Sequence, residues 1–298
     1  LSVIGVVGRG LSWAADASQP GAAWWQQMRS HRLALLGSLL VGLLVLVAAL
    51  APVLVTGTPE AFGDMTATRY QPPGERFLLG SDQFGRDVLT RLVYGARISL
   101  GVAFSSVLLT MLLGTGIGLV AGYRGGWVDS VLMRLVDLLL AFPRIFLVLL
   151  VISLAEPSLW LVVGVLAVTG WMATARLVRS EVLSVRERDY VQAAHALGIP
   201  TRRIVLRHVL PNTVAPIVVS ATLMIGNVIL AESVLSFLGL GVPVPTPSWG
   251  AMIDEGRAVF PDVWWLATFP GLAITVTVVA FNLLGDGLRD AWDPRSSD

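Results

Sequence analysis

YVQAAHALGIPTRRIVLRHVLPN, residues 190–212, lies between two apolar stretches, each long enough to cross a bilayer. The segment itself is too polar to cross. Ala193 and Ala194 are followed four residues on by Gly198, and Leu210–Pro211 closes the segment before the next apolar run. Arg202, Arg203 and Arg207 crowd its second half. Gly198 tolerates a positive φ and ends a helix, and Pro200 bars simple continuation. The spacing therefore predicts one short helix over 190–197 and the start of a second over 201–208. The two alanines leave a low surface on which another protein's side chains can pack. Tyr190, Gln192, His195, Pro200 and Arg202 complete the candidate docking surface.

Composition sets the frame around this loop. The chain has 298 residues, 55% hydrophobic and 14% charged, where a soluble domain carries about 25% charge. That deficit belongs to a polytopic membrane protein. Six apolar spans are expected, at 33–55, 98–121, 134–155, 159–178, 213–238 and 265–285, giving an all-α membrane fold. The first is too long for a signal peptide, and no small-residue cleavage site follows it. A net charge of +1 implies no nucleic-acid partner. Cysteine is absent, which excludes disulfides and thiolate metal sites. Lysine is absent too. A Walker A loop needs a lysine on the nucleotide phosphates, so any ATP driving this chain is bound by another polypeptide.

Arginine counts predict orientation. With the N-terminus inside, the inner segments hold 13 arginines, seven of them in 176–212, and the outer segments hold six. Both termini and the 190–212 loop are thus expected in the cytoplasm. The chain is expected to divide into a cytoplasmic segment 1–32, a transmembrane domain 33–285 and a cytoplasmic tail 286–298. Within the domain lie an external segment 56–97, a cytoplasmic loop 179–212 and an external loop 239–264. Trp24, Trp25, Arg29 and Arg32 suit either an interfacial helix over 21–32 or a tail touching lipid.

The 190–212 loop resembles the signature of ABC-importer permeases: Glu-Ala-Ala, three residues, Gly, nine residues, an apolar residue or His, any residue, Leu-Pro. Gln192 stands where the short consensus has Glu. FLLGSDQFGRDVLTRLVYGARISL (77–100), LSFLGLGVPVPTPSWGAMI (235–253) and FNLLGDGLRDAWDPR (281–295) resemble dipeptide and oligopeptide importer permeases. They are most similar to the second of the two membrane subunits. The resemblance implies the six-helix MetI-like fold, in which this loop couples the permease to its ATPase. It implies a homologous permease as heterodimer partner, two cytoplasmic ATPase subunits that bind ATP and Mg, and an extracytoplasmic substrate-binding protein. It further implies a location in the bacterial plasma membrane and import of peptides, nickel complexes or haem.

Other features are read from the residues themselves. Val88, Leu89, Leu92, Val93 and Ala96 share one helical face, with Arg86, Asp87 and Arg91 opposite. This fits a helix lying across the outer surface, either receiving a binding protein or filling a gap in the subunit's own surface. Gly114, Gly118 and Gly122 recur at a spacing that lets helix backbones approach closely. Arg134 and Asp137 can pair on one helix face. Pro143 should kink the third span, and Arg144 beside it either lines a water-filled path or pairs with a neighbouring subunit. Asn227 joins Arg144 as a candidate path residue. Glu232, near the outer end of the fifth span and one turn before Ser236, either lines the pore or makes an interfacial hydrogen bond. Pro243, Pro245 and Pro247 stiffen the outer loop, which suits part of an external gate, and 248–258 is expected to dip back as a short helix. Trp264 and Trp265 read as an aromatic belt.

No catalytic set emerges, and neither His195 nor His208 sits in a metal-binding pattern. The rival function is a self-contained secondary transporter, resting on Asp137, Arg144 and Glu232 as intramembrane charges. It leaves the 190–212 loop unexplained. An intramembrane hydrolase lacks a nucleophile–base pair.

Overall fold

The computed structural model describes residues 32–292. The expected interfacial helix, Arg32 apart, and the last residues of the tail lie outside that range. The elements are α1 Arg32–Ala49, α2 Ala51–Leu54, α3 Val88–Arg124, α4 Gly126–Leu140, α5 Arg144–Ser153, α6 Leu159–Arg186, α7 Asp189–Ala196, α8 Thr201–Ile204, a π-helical turn Val205–Val209, α9 Leu210–Phe237, α10 Trp249–Arg257 and α11 Trp265–Trp292. Among the described residues, five helices are long and apolar enough to span, and a sixth span is formed if the bent pair α4–α5 counts as one.

Local sequence explains the starts. Asp87 caps α3, its carboxylate accepting from the Thr90 amide at 2.8 Å. Ser158 caps α6 and Ser248 caps α10 in the same way. The stops follow glycine: Gly125 takes φ +64 after α3, and Gly198 takes φ +72 after α7.

The core of the bundle is the contact between α3 and α6. A Cβ on Gly114 would lie 2.5 Å from Thr174 Cβ, and one on Gly118 would lie 2.6 Å from the Ala175 carbonyl. One on Gly122 would lie 2.9 Å from the Arg179 carbonyl. The three glycines thus let the α6 backbone approach as their spacing predicts. α11 packs antiparallel to α9, with Gly285 against Leu223 and Gly226 against Val278. α1 packs antiparallel to α11, with Gly37 beside Leu284 and Ala34 against Gly287. Residues 32 and 292 therefore lie at the same end of the bundle as the 190–212 loop.

Several expectations change. The outer helix and the second span are one continuous α3, because nothing between Val88 and Arg124 breaks the helix. Arg91, placed opposite the apolar helical face, is itself buried, at 2% exposed. The third span is broken, not kinked: α4 and α5 meet at 83° across Pro143. α11 runs on past residue 285. Asp137 pairs with Arg176 on α6 rather than with Arg134. Trp265 is buried instead of belting the surface, its indole N–H donating to the Ser81 carbonyl at 3.2 Å.

Candidate functional site

The 190–212 loop folds as a helix, a break and a helix. α7 is seated by a small apolar cluster in which Val191 and Ala194 meet Val178, Val182 and Val185 of α6, with Ile204 and Val209 closing it. Ala194 therefore faces inward while Ala193 stays exposed. The alanine pair does not form one outer surface, because adjacent helical residues do not share a face. Ala193 shares the outside with Tyr190, Gln192, Leu197, Gly198 and Arg202. Gln192 donates from its amide to the Arg186 carbonyl at 3.0 Å. Pro200 ends the break, and Leu210 and Pro211 open α9 beyond the π-helical turn.

Two contacts absent from the sequence reading fix this unit to the bundle. His195 Nε2 and the Tyr123 hydroxyl lie 2.8 Å apart, with the rings stacked. Arg186 donates to the Gly122 and Tyr123 carbonyls at 3.2 and 3.1 Å, satisfying the last turn of α3. Leu197, 79% exposed, was also missed; the signal was an apolar residue placed directly before the helix-ending glycine.

A second feature is a cavity of about 490 Å³ walled by the α4–α5 break, α6 and α9. Arg144 and Asn227 both line it, together with Thr169, Ser220 and a mostly apolar remainder. Arg144 donates to Thr169 Oγ1 at 3.4 Å and to the Leu166 carbonyl at 3.2 Å. Glu232 does not join them. It is fully buried inside the subunit, accepting from Ser236 at 2.8 Å and lying 3.5 Å from Ser99 Oγ. Hydroxyls on α3 and α9 hold it in the subunit interior, and it is not among the residues that line the Arg144 cavity.

At the opposite end of the bundle sits a buried ion cluster. Asp82 accepts from Arg86 at 2.5 Å and from Arg91 at 2.7 Å. Glu255 on α10 accepts from Arg91 at 2.5 and 2.8 Å. The cluster ties the 77–87 segment, α3 and α10 together. Nearby, Asp64 in the long connection is held below the usual carboxylate range by hydrogen bonds from the Thr66 hydroxyl and from the Thr66 and Ala67 amides. Among the described residues no group of three His, Asp or Glu side chains converges to hold a metal.

The arrangement is a helical bundle with a cavity between α4–α5, α6 and α9 and a short exposed helix, α7, at one end. Residues 114–298 match the model of the binding-protein-dependent transport system inner-membrane component, and residues 19–73 match the N-terminal transmembrane domain of oligopeptide transport permease C. The chain belongs to the binding-protein-dependent transport inner-membrane component family. It is a permease subunit of an ABC importer, a membrane protein whose ATPase is a separate chain. Two relatives illustrate the match. The dipeptide transport system permease protein DppC of Alkalihalophilus pseudofirmus is 40% identical over 280 residues, covering 94% of this chain and 91% of the relative. The glutathione transport system permease protein GsiD of Pectobacterium atrosepticum is 40% identical over 276 residues, covering 93% and 91%. Among solved structures, the inward-facing MetNI methionine ABC transporter aligns with a TM-score of 0.58 at 17% identity, over 68% of this chain and 97% of that one. The permease fold is thereby the MetI type expected from the sequence.

Proposed function

We propose that this permease carries short peptides into a bacterial cell, in a heterodimer with a homologous permease, fed by an extracytoplasmic binding protein and driven by two ATPase subunits that bind ATP and Mg. The observation that carries the coupling half is the α7 unit. It presents Tyr190, Ala193, Leu197 and Arg202 outward while Val191 and Ala194 root it in α6. A push on α7 is thus delivered to α6, one wall of the 490 Å³ cavity. The peptide cargo is supported by the relatives named above, whose own cargoes are dipeptides and glutathione. Both chain ends and the α7 unit belong in the cytoplasm by the arginine bias, and the ion cluster belongs outside. The secondary-transporter alternative is weakened, since Glu232 is fully buried and does not line the cavity that Arg144 faces.

The test is co-purification with a Gly198→Leu variant. The wild-type subunit should bring an ATPase with it. Gly198 has open space around it but sits at φ +72, so leucine strains the break by about 1–2 kcal/mol without a clash. Peptide uptake by the assembled complex should fall relative to ATP hydrolysis while insertion persists. Normal uptake in that variant would remove α7 from the coupling role. Single cysteines at the exposed Thr58 and Thr201 check orientation: an impermeant thiol reagent outside intact cells should label only Thr58→Cys.

A further inference from the structure

We infer that the break between α4 and α5 is a carboxylate-binding station on the translocation path, at which Arg144 holds the C-terminal carboxylate of the peptide in transit. The inference rests on the peptide-importer reading above and adds to it a defined contact inside the membrane.

The first observation concerns charge. Arg144 lies against Leu166 and Thr169, in the middle of the apolar 159–178 stretch. Its hydrogen bonds go to a hydroxyl and a carbonyl, both neutral. Among the described residues no carboxylate pairs with it; the ion pairs of α4 and α6 use Arg176 and Arg179 instead. A cation at that depth without a counter-ion is costly, and such residues face bundle interiors or water-filled cavities. Arg144 faces the cavity of about 490 Å³, within the range of about 300–1,000 Å³ typical of small-molecule sites.

The second observation is independent of the side chain. The 83° break places the start of α5, just after its N-cap Pro143, at the cavity wall. Proline has no N–H, and the first intrahelical bond is that of Phe146 to the Pro143 carbonyl, at 3.0 Å. The Arg144 and Ile145 amides take no backbone acceptor. Broken membrane helices place such free amides, with the positive end of the helix dipole, toward anionic groups of their substrates. Residues on both sides of the break, Leu140, Phe142 and Leu147, line the same cavity.

The third is the rest of the wall. Asn227 and Ser220 on α9 add polar groups, while Met224 and Leu223 make the remainder apolar. Peptides of different sequence share a backbone and a terminal carboxylate. A cation with adaptable apolar walls suits a path that reads the shared group and tolerates varied side chains.

The experiment uses the complete complex in proteoliposomes with its binding protein and ATP. The probes are radiolabelled dialanine and its C-terminal amide, each applied at the same fractional occupancy of the binding protein, measured separately. The wild-type complex should import the free acid about tenfold faster than the amide, the scale of a charge-assisted hydrogen bond. Arg144→Gln should lose most of that preference by slowing the acid alone, and Arg144→Lys should keep part of it. A wild-type preference near one overturns the inference, and this reading needs no variant to assemble. Equal slowing of acid and amide in Arg144→Gln overturns it as well, because the residue would then serve structure only. A wild-type complex that imports neither probe, nor any other short peptide, would instead remove the peptide reading and the inference with it.

Discussion

α6 is held on one face by glycines and on the other by ion pairs. Toward α3, Gly114, Gly118 and Gly122 bring the two backbones together, leaving no room for even one added carbon. Toward α4, the contact is made by the ion pairs Asp129–Arg179 and Asp137–Arg176, and Val136 is the one buried residue of α4. In a bilayer apolar surface gains little by leaving lipid, so helices adhere where backbones can approach closely. The same helix therefore serves as the fixed wall of the core and as one wall of a cavity. A transporter needs both, since a path cannot open through a bundle that is close-packed on every side.

Three changes test this contrast, in falling order of effect. The largest is expected at the ion cluster that locks the outer end of α3 to α10. Asp82→Ala would leave Arg91 buried beside a single acid, at a cost of about 3–5 kcal/mol. Thermal unfolding of the purified complex should register it, and a loss below about 1 kcal/mol would mean the cluster is not a lock. Next comes Gly118→Leu, whose added atoms meet the Ala175 carbonyl and Val178. Overpacking of this kind costs about 1–3 kcal/mol. Gly116, on the same helix, has nothing within 4 Å, so Gly116→Leu should leave the unfolding temperature of the subunit nearly unchanged. Equal effects at both positions would deny that α3–α6 contact is specific. The smallest belongs to the ion-paired face. Asp137→Asn breaks a pair whose side chains are 61% and 50% exposed, and should cost at most about 1 kcal/mol. Raising the salt concentration should shrink the difference between variant and wild type. A larger, salt-insensitive loss would place α4 among the fixed elements.

Much of this was legible from residues with local consequences. Gly198 and Pro200 act on their own backbone, so the break in the 190–212 loop was readable without any partner. Gly114, Gly118 and Gly122 were readable because helical spacing alone puts them on one stripe. What escaped depended on distant partners. Arg91 was placed only opposite the apolar face of its helix, because nothing near it in sequence announces Glu255, the distant acid with which it pairs. Trp265 read as an interfacial anchor because the Ser81 carbonyl that takes its N–H comes from the long connection. Glu232 stood between two readings until Ser99 of α3 was placed beside it. Pro143 announced a bend, but proline chemistry does not set its size. The inward turn of Ala194 was legible in principle, since one residue of any adjacent pair on a seated helix must face its seat.

α3 runs without interruption from the ion cluster at Arg91 to the stacked Tyr123 under α7. At 1.5 Å per residue those two side chains are about 48 Å apart along the axis. An unbroken helix of that length behaves as a lever. Tilting it by about 5° around its Tyr123 end swings Arg91 by about 4 Å, well beyond the reach of a hydrogen bond of about 3 Å. Asp82, Arg86 and Glu255 must then travel with Arg91 as a block, or let go of it. A small angular displacement at the Tyr123 end would thereby be magnified into a larger one at the Arg91 end, with no chain of side-chain rearrangements needed between them.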